Sequence, residues 1–421
     1  MKKKTLILLI LASILAIFTI SLSVFFIFFN NTEELEIETN TQEETTLISN
    51  NTFKIVSTGQ TNCYSEEELI PCPEQGEDFY GQNGTYIINE ASYTDNGDKT
   101  VTDNVTNLMW QQDPGEKISY DEAVETIKDF DLAGYTDWRI PTIKELYSLI
   151  DFNGTDPDPL AIDESNLVPF LDNSVFNFVY GDTTNNERII DSQYGSSNKY
   201  VYTTMNGDET LFGVNFADGR IKGYGMQLFG NDKTFFFMFV RGNDYGVNNF
   251  ELETEDIVID NSTRLSWQQA DSTKAMIWKD SLSYCENLEL GNHTDWRLPN
   301  VKELQYIVDY GRSPDTTDSA AIDPIFSTST ITNEMDELDY PFFWSSTTHL
   351  SASGNAGRGS YVSFGRATGY MNSVWMDVHG AGAQRSDPKI GDPANYSEGK
   401  GPQGDAIRIY NYVRCVRNES N

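Results

Sequence analysis

The sequence predicts an α+β protein made of two tandem copies of one small module behind an N-terminal transmembrane helix. Three observations predict this. "GYTDWRIPTIKELYSLID" at 134–151 recurs as "NHTDWRLPNVKELQYIVD" at 292–309, the mark of an internal repeat. Around each copy, strand-like runs precede helical patterns and further strand-like runs follow them, the order of an α+β domain. The chain also opens with "MKKK" and then stays apolar or hydroxylated from Thr5 to Phe29, long enough to span a bilayer as a helix.

Residues 1–30 therefore read as cytoplasmic lysines and a signal anchor, with residues 5–29 in the membrane. No small-x-small cleavage site precedes "NNTEELE", which favours an anchor over a cleaved signal, and either exports the rest of the chain. The expected localisation is single-pass, with the bulk extracytoplasmic. Residues 31–60 are rich in Thr, Asn and Glu and read as an acidic flexible stalk. The net charge of −35 argues against nucleic acid, against docking on anionic membranes, and against polysulfated sugars held by a broad cationic surface.

The first module occupies 61–250, including an extension with Cys63 and Cys72 that reads as a stapled loop. The second occupies 251–418. Trp110 in "LMWQQ" matches Trp267 in "LSWQQ", Trp138–Arg139 match Trp296–Arg297, and Val240–Arg241 match Val416–Arg417. The alignment bears on the other cysteines. Cys285 and Cys415 face Ile127 and Phe239 in the first copy, so both thiols are replaced together and by apolar residues. Paired loss is what a disulfide predicts, and an exported chain favours one. A Cys285–Cys415 bridge would tie an early helix to the last strand. The first copy would hold the same contact by packing Ile127 against Phe239 or their neighbours.

Each element of the repeated stretch has a local reading. Thr142 and Glu145 form a capping box, and Asn300 and Glu303 stand in the same places. Apolar residues at Ile143, Leu146, Leu149 and Ile150, and at Val301, Leu304, Ile307 and Val308, make a helical stripe facing a core. Pro141 and Pro299 bring the chain in extended. Trp138 and Trp296 read as core anchors. Arg139 can pair with Asp137 or with Glu145, and Arg297 with their counterparts. No histidine, cysteine or serine nucleophile recurs beside them, so no catalytic centre is predicted here. Upstream, "SYDEAVETIKDF" opens with a second capping box, Ser119 to Glu122. "SYTDNGDKTVTDNVTNLMWQQ" reads as strands around an Asn96-Gly97 turn rather than as a calcium loop.

"TDNGDKTVTDNVTNLMWQ", "TDWRIPTIKEL" and the closing "YNYVRCVR" resemble the Lcl C-terminal domain family, named after the C-terminal domain of the Legionella collagen-like adhesin. The resemblance covers nearly all of 95–418. It implies two tandem C-type-lectin-like domains and a place among bacterial exported and surface proteins, where adhesion to glycosaminoglycan-like polysaccharide is the best-understood role. The family's signature falls on Trp110, Trp138, Arg139, Pro141, Glu145 and Leu146. In copy two it falls on Trp267, Trp296, Arg297, Pro299, Glu303, Leu304 and Cys415. These are framework positions, so they imply a fold rather than a ligand. The chain departs from the family's adhesive role in its acidity, and no Glu-Pro-Asn or Gln-Pro-Asp calcium triplet appears in its loops.

Function is therefore sought where the copies differ. The second has a long insertion before its last strand that carries His379, Gln384, Arg385, Asp387, Lys389, Gln403 and Asp405, polar groups suited to a sugar or peptide. The first has "FNGTDPDPLAIDESNLVPF", where Asp156, Asp158 and Asp163 are candidate calcium ligands; no other cofactor is implied. The expected function is non-enzymatic binding of extracellular polysaccharide or another envelope ligand. A structural spacer in an envelope complex is the alternative. A formylglycine-generating-like oxidase is a weaker one, because it needs a reactive cysteine pair where this chain has a staple.

Overall fold

Both copies of the doubled motif fold as short helices with complete capping boxes, Ile143–Ser148 and Val301–Tyr306. The Thr142 hydroxyl accepts from the Glu145 amide at 3.2 Å and the Glu145 carboxylate accepts from the Thr142 amide at 2.8 Å. Asn300 and Glu303 repeat the exchange at 3.0 and 2.9 Å. The same carboxylates receive a bidentate guanidinium, Arg139 on Glu145 and Arg297 on Glu303. The Asp in each motif goes elsewhere: Asp137 pairs with Arg241 and Asp295 with Arg417. Each Trp is buried and donates its indole N–H back to the preceding turn, Trp138 to Leu132 O and Trp296 to Leu290 O.

The computed structural model describes residues 52–419 apart from Asn206 and Phe229. These belong to one compact unit, Asn50–Asn421. The expected membrane span at 5–29 and most of the expected stalk lie outside the described residues. Among the described residues, no helix is long and apolar enough to cross a membrane.

The architecture is strand-rich α+β in two repeated segments. The first runs β1 (Tyr93–Asp95), β2 (Thr100–Asp103), β3 (Met109–Gln111), α1 (Tyr120–Thr126), α2 (Ile143–Ser148), β4 (Gln193–Thr204), β5 (Asp208–Asn215), β6 (Arg220–Gly225) and β7 (Val240–Arg241). The second runs β8 (Phe250–Thr254), β9 (Ile257–Asp260), β10 (Leu265–Gln268), α3 (Trp278–Glu286), α4 (Val301–Tyr306), β11 (Phe342–Thr348), β12 (Arg358–Ser363), β13 (Gln384–Pro388) and β14 (Val416–Asn418). In each repeat the last strand closes a four-stranded sheet by pairing with the third, in the orders β7-β3-β2-β1 and β8-β9-β10-β14. The β1–β2 turn is the expected one, with Gly97 at φ 73° and its amide donating to Asp95.

The remaining strands form one antiparallel sheet in the order β11-β12-β13-β6-β5-β4. Each repeat gives three strands, and the third of each meets the other at the centre, Gln384 opposite Ile221. The long insertion that carries His379 to Asp405 is therefore not all loop. Its Gln384–Pro388 stretch is a central strand, and a hairpin, Thr368–Met371 with Val374–Asp377, is inserted ahead of it. A polar strand can sit there because its neighbours across the repeat boundary are also charged.

The repeats share one core as well as one sheet. Ile143 and Leu146 of α2 and Val301, Leu304 and Tyr306 of α4 belong to a single buried cluster with Phe212 and Val362. The helices also exchange lysines. Lys144 Nζ donates to Tyr306 O at 2.6 Å, and Lys302 Nζ donates to Ser148 O at 2.8 Å. Ser148 and Tyr306 hold the same place in the two motifs, so the contact is reciprocal, as at a two-fold dimer interface.

Both disulfides form as expected, Cys63–Cys72 and Cys285–Cys415. Cys285 and Cys415 lie in a satellite cluster with Trp278, Trp296 and Trp344. In the first repeat Ile127 and Phe130 pack on the cluster that holds Phe239, with the Phe130 and Phe239 rings 4.8 Å apart. The Cys63–Cys72 segment precedes the first repeat in the chain, yet its contacts lie on the second. Asn83 binds Gln60 O and Thr347, Tyr86 binds Glu286, and Lys389 reaches Ser65 O. The stalk reading is corrected for 52–60: Ile55, Val56, Thr58 and Gln60 are buried, and Lys302 Nζ also donates to Ser57 O at 2.8 Å. Ile55 joins the shared core and Phe53 packs on Tyr306 of α4, so this stretch covers the seam where α2 and α4 meet.

Burial drives both clasp lysines down from 10.5, Lys144 to about 8 and Lys302 to about 7. Asp260 and Asp309 near Lys144, and Asp151 and Asp103 near Lys302, only partly restore them. A lysine lowered in the folded state binds fewer protons there than in the unfolded chain between these values and its ordinary one, so stability rises with pH across that window. The urea midpoint of the chain is expected to climb from pH 7 to 9.5, and Lys302→Met is expected to flatten that climb. Equal slopes for the two proteins would contradict the assignment.

Candidate functional site

The two insertions singled out in the sequence converge on one cleft between the repeats, about 230 Å³ in volume. Its wall on the first repeat comes from Asp156, Pro157 and Pro159 and from the β5–β6 turn and β6. Its wall on the second comes from Arg358 and Tyr361 of β12, Arg385 and Ser386 of β13, and the 400–405 segment.

Buried ion pairs build the floor. Arg220 makes a bidentate pair with Asp156 at 2.7 and 2.6 Å and donates to Asp218 O. Lys222, two residues on and on the same face of the strand, pairs with Asp218 at 2.5 Å. From the other repeat, Arg385 pairs with Asp405, which also lies 3.0 Å from His379 Nε2. Arg358 donates to the Ser386 hydroxyl and carbonyl. His349, buried beside Phe170, has Nδ1 2.9 Å from Ser386 Oγ and Nε2 2.9 Å from Asp218 O.

The cations crowd one another. Burial, then Arg220, brings Arg385 down to about 10, and burial brings Lys222 to about 8 despite Asp218. Burial, then Arg220, pushes His349 to about 3, so it is neutral. Burial favours a neutral Asp156, but Arg220 outweighs it and holds the carboxyl well below its usual range. Arg385 Nη1, Arg220 Nε and Asp218 Oδ1 are buried without a hydrogen-bond partner among the described residues.

The other sequence candidates have different roles. Lys389 is buried, donates to Ser65 O and Thr348, and lies 3.9 Å from the centre of the Trp278 ring. Asp387 accepts from the Arg408 and Ile409 amides and from Asn411, tying β13 to the chain after it. Gln384 is buried at the repeat boundary, and Gln403 is half-buried in the turn beside the cleft. The calcium candidates are not brought together. Asp156 is committed to Arg220, while Asp158 accepts from the Leu160 amide and Asp163 from the Ser165 amide. Among the described residues, no group of three or more His, Cys, Asp or Glu side chains is placed to hold a metal.

Arg220, Lys222, Arg358 and His349 were missed from sequence. The alternation in "DGRIKGY" was the available signal, since it puts Arg220 and Lys222 on one face of a strand with Asp218 two residues ahead in the turn.

A second depression adjoins the cleft across Ile407, which lines both. It is a groove of about 470 Å³ on the second repeat, walled by Trp375, Tyr396, Tyr410 and Tyr412. At its base Arg408 pairs with Glu334 and lies 3.7 Å from the Phe342 ring centre. Burial would raise the Glu334 carboxyl, but Arg408 outweighs it and holds it at about 2.

Removing one partner of a buried pair leaves the other charge uncompensated, at a cost of about 3 kcal/mol or more. Asp156→Asn is expected to lower unfolding free energy by about that much. Asp158→Asn, on an exposed carboxylate two residues away, should stay within about 0.5 kcal/mol. Urea denaturation of both variants checks this, and equal effects would deny Asp156 its role.

No curated protein matches this chain, and no solved structure matches it. The model of the Lcl C-terminal domain family matches residues 99–241 and 256–379. The two segments fall one in each repeat, the second stopping short of β13 and β14, and take in both capped helices, the Arg–Glu pairs and all the strands of the shared sheet except β13. The chain belongs to the Lcl C-terminal domain family, in two tandem copies.

Proposed function

We propose that this is an exported, surface-exposed and non-enzymatic binding protein, anchored through residues 5–29, that holds an extracellular polysaccharide on its second repeat. The aromatic groove carries the reading. Sugar rings present C–H patches on their faces and hydroxyls at their edges. Side chains with an apolar body and a polar tip match both. Trp375, Tyr396, Tyr410 and Tyr412 supply such bodies along one groove, with the Glu334–Arg408 pair to meet hydroxyls. The acidity of the chain favours an unsulfated glycan. Membership of a family typified by an adhesin domain supports the extracellular role, and the lectin-like fold belongs to the same reading. The non-enzymatic part is supported by the cysteines, all of which are engaged in disulfides. The reading requires no metal.

Glycan-array binding by the full chain in mild detergent, with and without calcium, tests it. Retention of a glycan is expected in both conditions. Trp375→Ala should weaken binding about tenfold or more, as for a buried aromatic anchor, while Val374→Ala beside it should bind like the parent. No glycan retained in either condition would move the protein to the spacer reading.

A further inference from the structure

We propose that the cleft between the repeats is a binding site for one small carboxylate of sugar-acid size. The inference stands on the cleft's own atoms and does not depend on the aromatic groove holding a glycan. In a chain of net charge −35, the side chains lining this cleft run the other way, five cations to three carboxylates. All of these cations except Lys400 are buried or half-buried, where an uncompensated charge is costly. Arg385 is only 8% exposed, yet its Nη1 has no partner among the described residues, and neither has Nε of Arg220. Two guanidinium N–H groups without partners, from neighbouring strands contributed by the two repeats, are donors for a charge-assisted bond to an oxyanion. Burial and the neighbouring Arg220 disfavour the charge on Arg385, and an anion beside Arg385 would favour it.

Size and surroundings choose the class. A space of about 230 Å³ lies below the usual range for drug-sized ligands, about 300–1,000 Å³, and suits one sugar ring or less. Tyr361 offers an aromatic face, and Asp156, Asp218 and Asp405 offer acceptors for hydroxyls. Exposed Lys400 stands at the rim. The cations come from both repeats, so neither repeat forms the site alone.

Calorimetric titration of the full chain in mild detergent with sodium glucuronate tests this, with glucose as the uncharged counterpart and sulfate and phosphate in parallel. Glucuronate should bind one per chain, more weakly as salt rises, and glucose should not bind. Arg385→Gln should lower the affinity about tenfold or more, the scale of a charge-assisted bond. Lys400→Gln, at an exposed position where folding is not at stake, should lower it by a few-fold. Absence of glucuronate binding, equal binding of glucose, sulfate or phosphate binding without glucuronate, or parental affinity in both variants would each overturn the proposal.

Discussion

The structure turns on the reciprocal exchange between Lys144 and Lys302. Each lysine belongs to one copy of the repeated motif and donates to a carbonyl at the end of the other copy's helix. Burying two amines is costly, and the lowered pKa values of both record that cost. What offsets it is the shared apolar core under the helices and the continuous sheet beside them. The lysines add specificity, because the helices satisfy both amines only in this register. Within each repeat the other charged member, Glu145 or Glu303, caps its helix and receives Arg139 or Arg297. The repeated stretch is thus a frame in two senses: its glutamate builds the repeat, and its lysine joins the two.

From this near-symmetry the functional surface departs in one direction. The first repeat closes β5 onto β6 by a tight turn, while the second interposes a hairpin and more chain before β13 takes the equivalent place. The hairpin supplies Trp375 to the groove and β13 supplies Arg385 to the cleft, while the chain after β13 supplies Tyr396 and Tyr410 to the groove and Lys400 and Asp405 to the cleft. The first repeat's own insertion reaches across the boundary at Asp156, whose amide donates to Leu350 O and whose carbonyl accepts from the Ala352 amide, while its carboxylate holds Arg220 of its own repeat. A pair of identical modules would offer two equal sites. These modules offer a composite one.

Local physics was legible in the sequence, and contacts across the repeat boundary were not. The capping boxes at Ser119, Thr142 and Asn300 need residues only three apart, and all three form. The Cys285–Cys415 bridge was readable because the repeat supplied its own control, Ile127 and Phe239. Lys144 and Lys302 fall outside the apolar stripes of their helices, and nothing local names a carbonyl on another helix. Gln384–Pro388 reads as loop because its side chains are polar. It becomes a central strand only when Arg220, Lys222 and Asp218 are set against it. Asp156 was singled out for metal and found an arginine instead, the commoner fate of a buried carboxylate. The segment from 52 to 60 shows the same limit, since a few apolar residues in a polar stretch gain their meaning from the seam they fill.

If the clasp and the shared core make the repeats one unit, they should open together. Native-state hydrogen exchange at the Leu146 and Leu304 amides, which close the first turns of the two capped helices, reads this directly. The account predicts the same opening free energy at both, and an equal fall at both in Lys302→Met, because cooperative units exchange together. Protection that persists in one helix while the other exchanges would show two independent modules and contradict it.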